Sequence, residues 1–295
     1  MNASLGVGIL LLLVKWTAYV LTGSVAIFSD ALESIVHIVA VALAWHTLRV
    51  SFRPPDREHP YGHFKVSYFS AGMEGGLIIL AALFIVGSAV EKLLTGVSLE
   101  RLEYGLGLTL FTVLVNGILG TVLVREGKHS HSPILTANGK HVLTDAWTSG
   151  GAVAGLLVVH VTGLQVLDPI IALLIGANII REGVLQVRQA IHGLMDRTNP
   201  ELEQQALQAL EAFCSEHGLS YHRFRLRQAG PQVHIDFHLQ FANGTPIEQA
   251  HALATAAERR IAQALPVRAD IVSHLEGEDH PPVHDEPIEP TLRQR

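Results

Sequence analysis

Six long apolar runs separated by short polar breaks occupy the chain as far as about residue 187. The first, Ala3 to about Leu21, is interrupted only by Lys15, and the turn Thr22-Gly23-Ser24 follows it. The second runs from Ala26 to Leu48, the third from Val66 to Leu94 and the fourth from Tyr104 to Val124. The fifth covers Leu135 to Val161 and the sixth Val166 to Val187. An α-helix needs about 20 apolar residues to cross roughly 30 Å of hydrocarbon, so the pattern predicts six transmembrane helices. Polar segments at Arg49–Lys65, Glu100–Glu103 and Arg125–Pro133 separate them.

After Asp196-Arg197-Thr198-Asn199-Pro200 the pattern becomes that of a soluble domain. Leu202, Leu207, Leu210 and Phe213 recur with helical spacing between Glu201 and Glu216. Tyr221–Arg227 and Gln232–Phe241 alternate with period two around Gln228-Ala229-Gly230-Pro231, which reads as a hairpin. An Ala-rich helix from Pro246 to Leu265 and a strand from Arg268 to Glu276 complete the order α-β-β-α-β, a small ferredoxin-like sheet with helices on one face. The expected architecture is an all-α six-helix transmembrane bundle over residues 1–196, followed by a small α+β cytosolic domain over 197–277. The tail 278–295, rich in Pro, His and Glu, is expected to be disordered.

Composition narrows the class. Hydrophobic residues make up 48% and charged residues 16%, with a mean hydropathy of +0.31, a membrane balance. A net charge of −6 argues against nucleic acid as a partner. The single cysteine, Cys214, excludes an internal disulfide and a cysteine-built zinc site. Any metal chemistry must then use nitrogen and oxygen ligands, for which 17 histidines are available. The apolar N-terminus lacks a basic n-region and a small-residue cleavage site, so no cleavable signal peptide is expected. Arg49, Arg53, Arg57, Lys65, Arg125, Lys128 and Lys140 cluster at two loops on one side, against Lys92 and Arg101 on the other. The positive-inside rule then places both termini in the cytoplasm.

The candidate chemistry lies inside the spans. Glu33 and His37 are spaced i, i+4 on the second run, and His141 and Asp145 share that spacing on the fifth. Such spacing stacks both side chains on one helix face. An ionisable group at the bilayer centre costs at least ~2.5–3.5 kcal/mol, so it marks function and needs a partner. Two facing helices supply two nitrogens and two carboxylates, a set suited to Zn²⁺ and without the thiolate that Cu⁺ favours. The plainer reading is a hydrogen bond within each helix, or a polar clamp between helices. Asp30, one turn before Glu33, is either a further ligand or a capping and hydrogen-bonding group. Lys15, Glu74 and Asn116 are read first as bundle hydrogen-bonding or snorkelling residues. On the loop after the second span, Asp56, His59 and His63 form D-x-x-H-x-x-x-H, and Pro60 and Gly62 supply a turn that can bring the imidazoles together.

The chain resembles the cation diffusion facilitators, proton-coupled exporters of zinc and related divalent metals. The residues that carry the resemblance are Gly23-Ser24, the stretch Ser29-Asp30-Ala31-Leu32-Glu33-Ser34-Ile35-Val36-His37, His59-Pro60-Tyr61-Gly62-His63-Phe64-Lys65, His141-Val142-Leu143-Thr144-Asp145 with Ser149-Gly150-Gly151, and Asp168-Pro169. The resemblance implies a homodimeric exporter in a lipid bilayer, the bacterial inner membrane, that exchanges metal ions for protons and is not an enzyme. It implies a transport site at Glu33, His37, His141 and Asp145, and an accessory ion at Asp56, His59 and His63. It also implies cytosolic ions at His238, His251, His274 and Glu276, and a charge pair between Lys65 and Asp196. His234 shares the strand parity of His238 but has no matched role. The family commonly carries Asp or His where this chain has Glu33, and Asp where it has His37, so the cargo, Zn²⁺ first, stays open to Fe²⁺, Co²⁺, Ni²⁺ or Mn²⁺. Two other classes are set against the exporter. A membrane metalloenzyme would need an open metal position and a nucleophile or H-E-x-x-H motif, which the sequence lacks. A metal-sensing membrane scaffold would bind ions without moving them.

Overall fold

The structure is a computed structural model that describes residues 2–129 and 133–279, with the side chains of 2–5, 127, 133–138 and 141 outside the description. The predicted tail from 280 onward and His131 lie outside the described residues. The chain divides into two compact units, one of residues up to Pro60 with Val66–Ile191, the other of Tyr61–Lys65 with the chain from His192.

The first unit holds six helices: α1 (Asn2–Thr22), α2 (Val25–Ser51), α3 (Val66–Thr95), α4 (Leu102–His129), α5 (Pro133–Thr162) and α6 (Leu167–Leu194). Segments of α2 to α6 are long and apolar enough to cross a membrane, and Gly6–Thr22 is a shorter apolar helix. Large apolar side chains such as Leu83, Phe84 and Ile118 are exposed on the outside of the helices, as a lipid-facing surface requires. The protein is an integral membrane protein. The helices outrun the apolar runs, most clearly α4, which continues through Arg125, Glu126 and Lys128 to His129. Backbone hydrogen bonding continues past the apolar stretch because polar side chains end hydropathy and not helicity.

Three helices end in the same way. Thr22, Thr95 and Thr162 are each followed by a glycine with positive φ, Gly23 (65°), Gly96 (97°) and Gly163 (72°). Each glycine N–H donates to a carbonyl four residues back, at 2.8, 3.0 and 2.9 Å, closing the last turn of α1, α3 and α5.

Close helix crossings use small residues. A Cβ on Gly75 would come within 3.0 Å of the Gly183 carbonyl oxygen and 2.8 Å of Val187 Cγ2, so α3 and α6 touch backbone to backbone. A Cβ on Gly120 would likewise lie 3.0 Å from the Gly139 carbonyl oxygen, which brings α4 against α5. Lipid offers no hydrophobic drive between helices, so such close packing supplies the association. α1 lies along α2 and α4, and α2 also touches α3 and α5.

The start of α2 is set by α6. Ser24 caps α2, its Oγ accepting from Ile27 N. The fully buried Asp168, in the first turn of α6, accepts from Ser24 Oγ (2.5 Å), Val25 N (2.8 Å) and Ala26 N (3.3 Å). Those are the donors a helix start leaves without intrahelical partners.

The second unit is α7 (Pro200–His217), β1 (Ser220–Ala229), β2 (Gln232–Phe241), α8 (Ile247–Ala264) and β3 (Arg268–Gly277), the expected α-β-β-α-β order. The sheet order is β1-β2-β3, with β1 antiparallel and β3 parallel to β2. Asn199 caps α7, with Pro200 in its first turn. Gly230 takes φ +61° as the first residue of a two-residue hairpin turn, the sign a type II′ turn demands. Val233, Ile235, Phe237, Leu239 and Phe241 form one face of β2, packed with Leu202, Ala206, Leu210 and Phe213 of α7 and Ala250, Ala254, Ala257 and Ile261 of α8. The even-numbered residues of β2 point to the other, polar face.

The loop Tyr61–Lys65 packs onto this sheet. The Tyr61 ring meets His234 edge-on at 5.5 Å, and the Arg227 guanidinium lies 5.0 Å from its centroid. A Cβ on Gly230 would lie 3.1 Å from Phe64 Cβ, so the loop packs closely on the hairpin turn.

Candidate functional site

Inside the first unit a cavity of ≈ 680 Å³ opens between α2, α3, α5 and α6. Glu33 and His37 of α2 and Asp145 of α5 line it, and all three are half-buried. The i, i+4 spacing carries Glu33 and His37 onto the same wall, as the helical period requires. His141 lies in α5 four residues before Asp145, and its side chain is outside the described part of the structure. The structure thus brings three of the four expected transport residues to one cavity, on two helices.

The opposite wall is also polar. Glu74 of α3 and Asn178 and Glu182 of α6 line the same cavity, with Thr144 and Thr148 of α5. Glu182 pairs with Arg181 at 2.8 Å. The sequence signal for Asn178 and Glu182 was available: they repeat the i, i+4 polar spacing inside the sixth apolar run.

Asp30 faces elsewhere. It sits in the second turn of α2 and is no cap, since Ser24 holds that position. Its Oδ1 accepts from Lys15 Nζ (2.8 Å) and Ser149 Oγ (2.6 Å). Lys15 is 3% exposed, so it is a buried bonding group and does not snorkel to the membrane surface.

On the loop, Asp56 Oδ1 accepts from the backbone N–H groups of His59 (2.7 Å) and Glu58 (2.9 Å), with His59 Nδ1 at 3.3 Å. The His59 N–H foremost, with the other bonds, holds this exposed carboxyl below its ordinary pKa and keeps it anionic. His63 belongs to the segment that packs with the second unit. Within that unit Lys65 Nζ lies 2.9 Å from Asp196 Oδ1 and 3.0 Å from Oδ2, a pair formed inside one chain.

The polar face of the sheet carries a second ligand group. Glu276 of β3 accepts from His238 Nδ1 (2.6 Å) and His222 Nε2 (2.7 Å), and His274 Nε2 lies 3.5 Å from it. Ligand atoms of His222, His238 and Glu276 lie within 4.8 Å of one another, close enough to hold one metal ion. Burial raises the Glu276 pKa, but the bonds and charges of His222 and His238 together outweigh it and bring it below the ordinary value. His251 is exposed on α8, whose neighbouring Ala250 packs into the core on the other face of the sheet, so it stands apart from the cluster within one protomer. His234, 8% exposed, bonds Asp270 through Nδ1 at 3.1 Å.

His222 is the ligand candidate that sequence reasoning missed. From Arg225↔Asp236 to Ala229↔Gln232 the hairpin register is regular, and continued to His222 it would set that residue opposite Leu239 on the core face. A bulge between His222 and Arg225, with Arg223 at φ +52°, shifts the register by one and sets His222 opposite His238. A one-residue slip moves a side chain to the other face of a sheet.

The chain matches two family models in order. Residues 1–195 match the cation efflux transmembrane domain, and residues 199–278 match the cytoplasmic domain of cation efflux proteins. A transporter of Synechocystis, sll1263, is 37% identical over 286 residues, 97% of this chain and 92% of the relative. The cation-efflux pump FieF of Salmonella newport is 30% identical over 265 residues, 90% of this chain and 87% of the pump. The magnetosome protein MamB of Paramagnetospirillum magneticum is 29% identical over 260 residues, 88% of this chain and 87% of that protein. With five helices long and apolar enough to cross a membrane, a sixth shorter apolar helix, a cavity among them that holds carboxylates and an imidazole, and both domain models matched in sequence, the chain belongs to the cation efflux family, the cation diffusion facilitators.

Proposed function

We propose that the protein exports a divalent metal cation, Zn²⁺ first, in exchange for protons, through a site formed by Glu33, His37, His141 and Asp145. The observation that supports the reading is the shared cavity: Glu33 and His37 from α2 and Asp145 from α5 line it together. Two imidazoles and two carboxylates suit a tetrahedral Zn²⁺ and also admit Fe²⁺, Co²⁺, Ni²⁺ or Mn²⁺. Metal binding requires neutral imidazole and ionised carboxylate, so protons and metal compete for the same atoms and an inward proton gradient drives the metal out. The charge bias of the loops supports termini in the cytoplasm of a bacterial inner membrane. The cytoplasmic-domain match supports a homodimer.

The loop residues Asp56, His59 and His63 and the cluster His222, His238, Glu276 and His274 serve as accessory cytosolic sites in this reading, with His251 held for the dimer. The test is Zn²⁺ flux in proteoliposomes under an imposed pH gradient. His141→Ala is expected to abolish it, and transport equal to the parent's would show that the site is misassigned. Competition by the other four metals, repeated on Glu33→Asp/His37→Asp, reads the cargo preference. A metal-sensing scaffold is distinguished by the absence of flux in the parent and of any effect of Asp145→Ala on metal tolerance.

A further inference from the structure

Behind the cavity wall lies a buried polar chain through three helices. Lys15 of α1 donates to Asp30 Oδ1 (2.8 Å) and to Ser34 Oγ (3.0 Å) on α2. Ser149 of α5 donates to the same Asp30 Oδ1 at 2.6 Å. Ser34 Oγ in turn donates to the Asp30 carbonyl at 2.9 Å. Lys15 is 3% exposed, Asp30 6% and Ser149 0%, and the neighbouring packing at Ala18, Ala26, Ile27 and Leu156 is apolar.

A buried ion pair is a poor way to gain stability, because desolvation offsets most of the attraction and apolar side chains do as well. What such a pair does supply is orientation, since leaving either charge alone in lipid is costly. The orientation here concerns the cargo site. Asp30 stands three residues before Glu33, and Ser149 four after Asp145, each one helical turn from a cavity carboxylate. One oxygen atom, Asp30 Oδ1, therefore joins the helix that carries Glu33 and His37 to the helix that carries Asp145.

We infer that Lys15, Asp30 and Ser149 are positioning residues of the metal site, holding α2 against α5 so that Glu33 and Asp145 converge on one ion. The inference rests on the transport reading above. Asp30 acts through the helices and is not a ligand, because it does not line the cavity that holds Glu33, His37 and Asp145, and Lys15 and Ser149 hold its Oδ1.

The experiment measures Zn²⁺ affinity of the purified protein and Zn²⁺ flux in proteoliposomes, in a His59→Ala/His63→Ala/His238→Ala/Glu276→Gln background that removes the loop and sheet clusters. Ser149→Ala keeps every candidate ligand and both buried charges. It is expected to weaken Zn²⁺ binding and raise the flux KM about tenfold, a fraction of a charged hydrogen bond, with the maximal rate kept within about twofold. Lys15→Met/Asp30→Asn removes both charges together and is expected to show the same loss of affinity. Where that double variant fails to fold, Ser149→Ala decides alone. Parent affinity and KM in Ser149→Ala overturn the inference. An Asp145→Ala control separates the two readings. If it abolishes binding while Ser149→Ala changes nothing, only the positioning role fails; if it binds Zn²⁺ as the parent does, the cargo site is wrong and the positioning role falls with it.

Discussion

Removing the Asp168 side chain tests whether α6 sets the start of α2. In Asp168→Ala the backbone donors of Val25 and Ala26, and the Ser24 hydroxyl, lose their acceptor together. The site is fully buried, so water does not readily replace it. A buried donor left unsatisfied costs about 1–3 kcal/mol, and the Ala26 bond is the longest of the three, so two backbone donors taken toward the low end give about 2–4 kcal/mol. No capping loss is added, since Ser24 Oγ still accepts from Ile27 N in the variant. Asp168→Asn retains one carbonyl acceptor in the same place and is expected to lose about half as much. The measurement is reversible unfolding of the purified protein in mixed micelles with increasing dodecyl sulfate, followed by near-UV circular dichroism. Because α2 carries Glu33 and His37, the flux rate is expected to fall in the same order, Ala below Asn below parent. Asp168→Ala within about 0.5 kcal/mol of the parent would refute the reasoning, since that is the scatter of ordinary surface substitutions.

Two further outcomes follow from other parts of the molecule. The pKa of Glu276 is depressed in the folded state, so its contribution to stability is complete above the unfolded Glu value, about 4.3, and is lost as pH falls through the lower folded value. Acid titration of the full chain in chelator, read by hydrogen exchange on β3, is therefore expected to show a loss of protection below that range that Glu276→Gln lacks, and the same substitution is expected to weaken Zn²⁺ binding at the cytosolic cluster. Gly75→Ala forces a methyl against Val187 and the Gly183 carbonyl and is expected to cost about 1–3 kcal/mol. Its neighbour Gly76 has nothing within 4 Å, and Gly76→Ala is expected to be neutral or stabilising by up to about 1 kcal/mol. Equal unfolding midpoints for the two variants would contradict the close α3–α6 crossing.

Much of the architecture was legible because the signals are one-dimensional. Hydropathy marks a membrane helix whatever it packs against, and the change at Asp196–Pro200 marks where that regime stops. The Glu33–His37 pair stood out because ionisable groups are rare in such runs. Helix ends were less legible: Arg125 to His129 reads as polar and is helical. Lys15 and Asp30 were each visible as charges in apolar runs, but nothing in their spacing said that they bond to each other across 15 residues, or that Ser149 joins them from 119 residues away.

The sequence by itself determined the succession of six apolar helices, the α-β-β-α-β order of the second domain and the kinds of side chain available to bind metal. These depend on transfer free energy, periodicity and ligand chemistry, which are properties of residues and short windows. Tertiary structure decided which of those residues meet. The cavity collects Glu33 and His37 with Asp145, and adds Glu74, Asn178 and Glu182, because helix rotation is set by neighbouring surfaces. His222 joins His238 and Glu276 through one extra residue in β1, and His251 does not, because its helix covers the other face of the sheet. A bulge costs one residue in sequence and reverses a side chain in space, so the register of a strand belongs to the folded sheet.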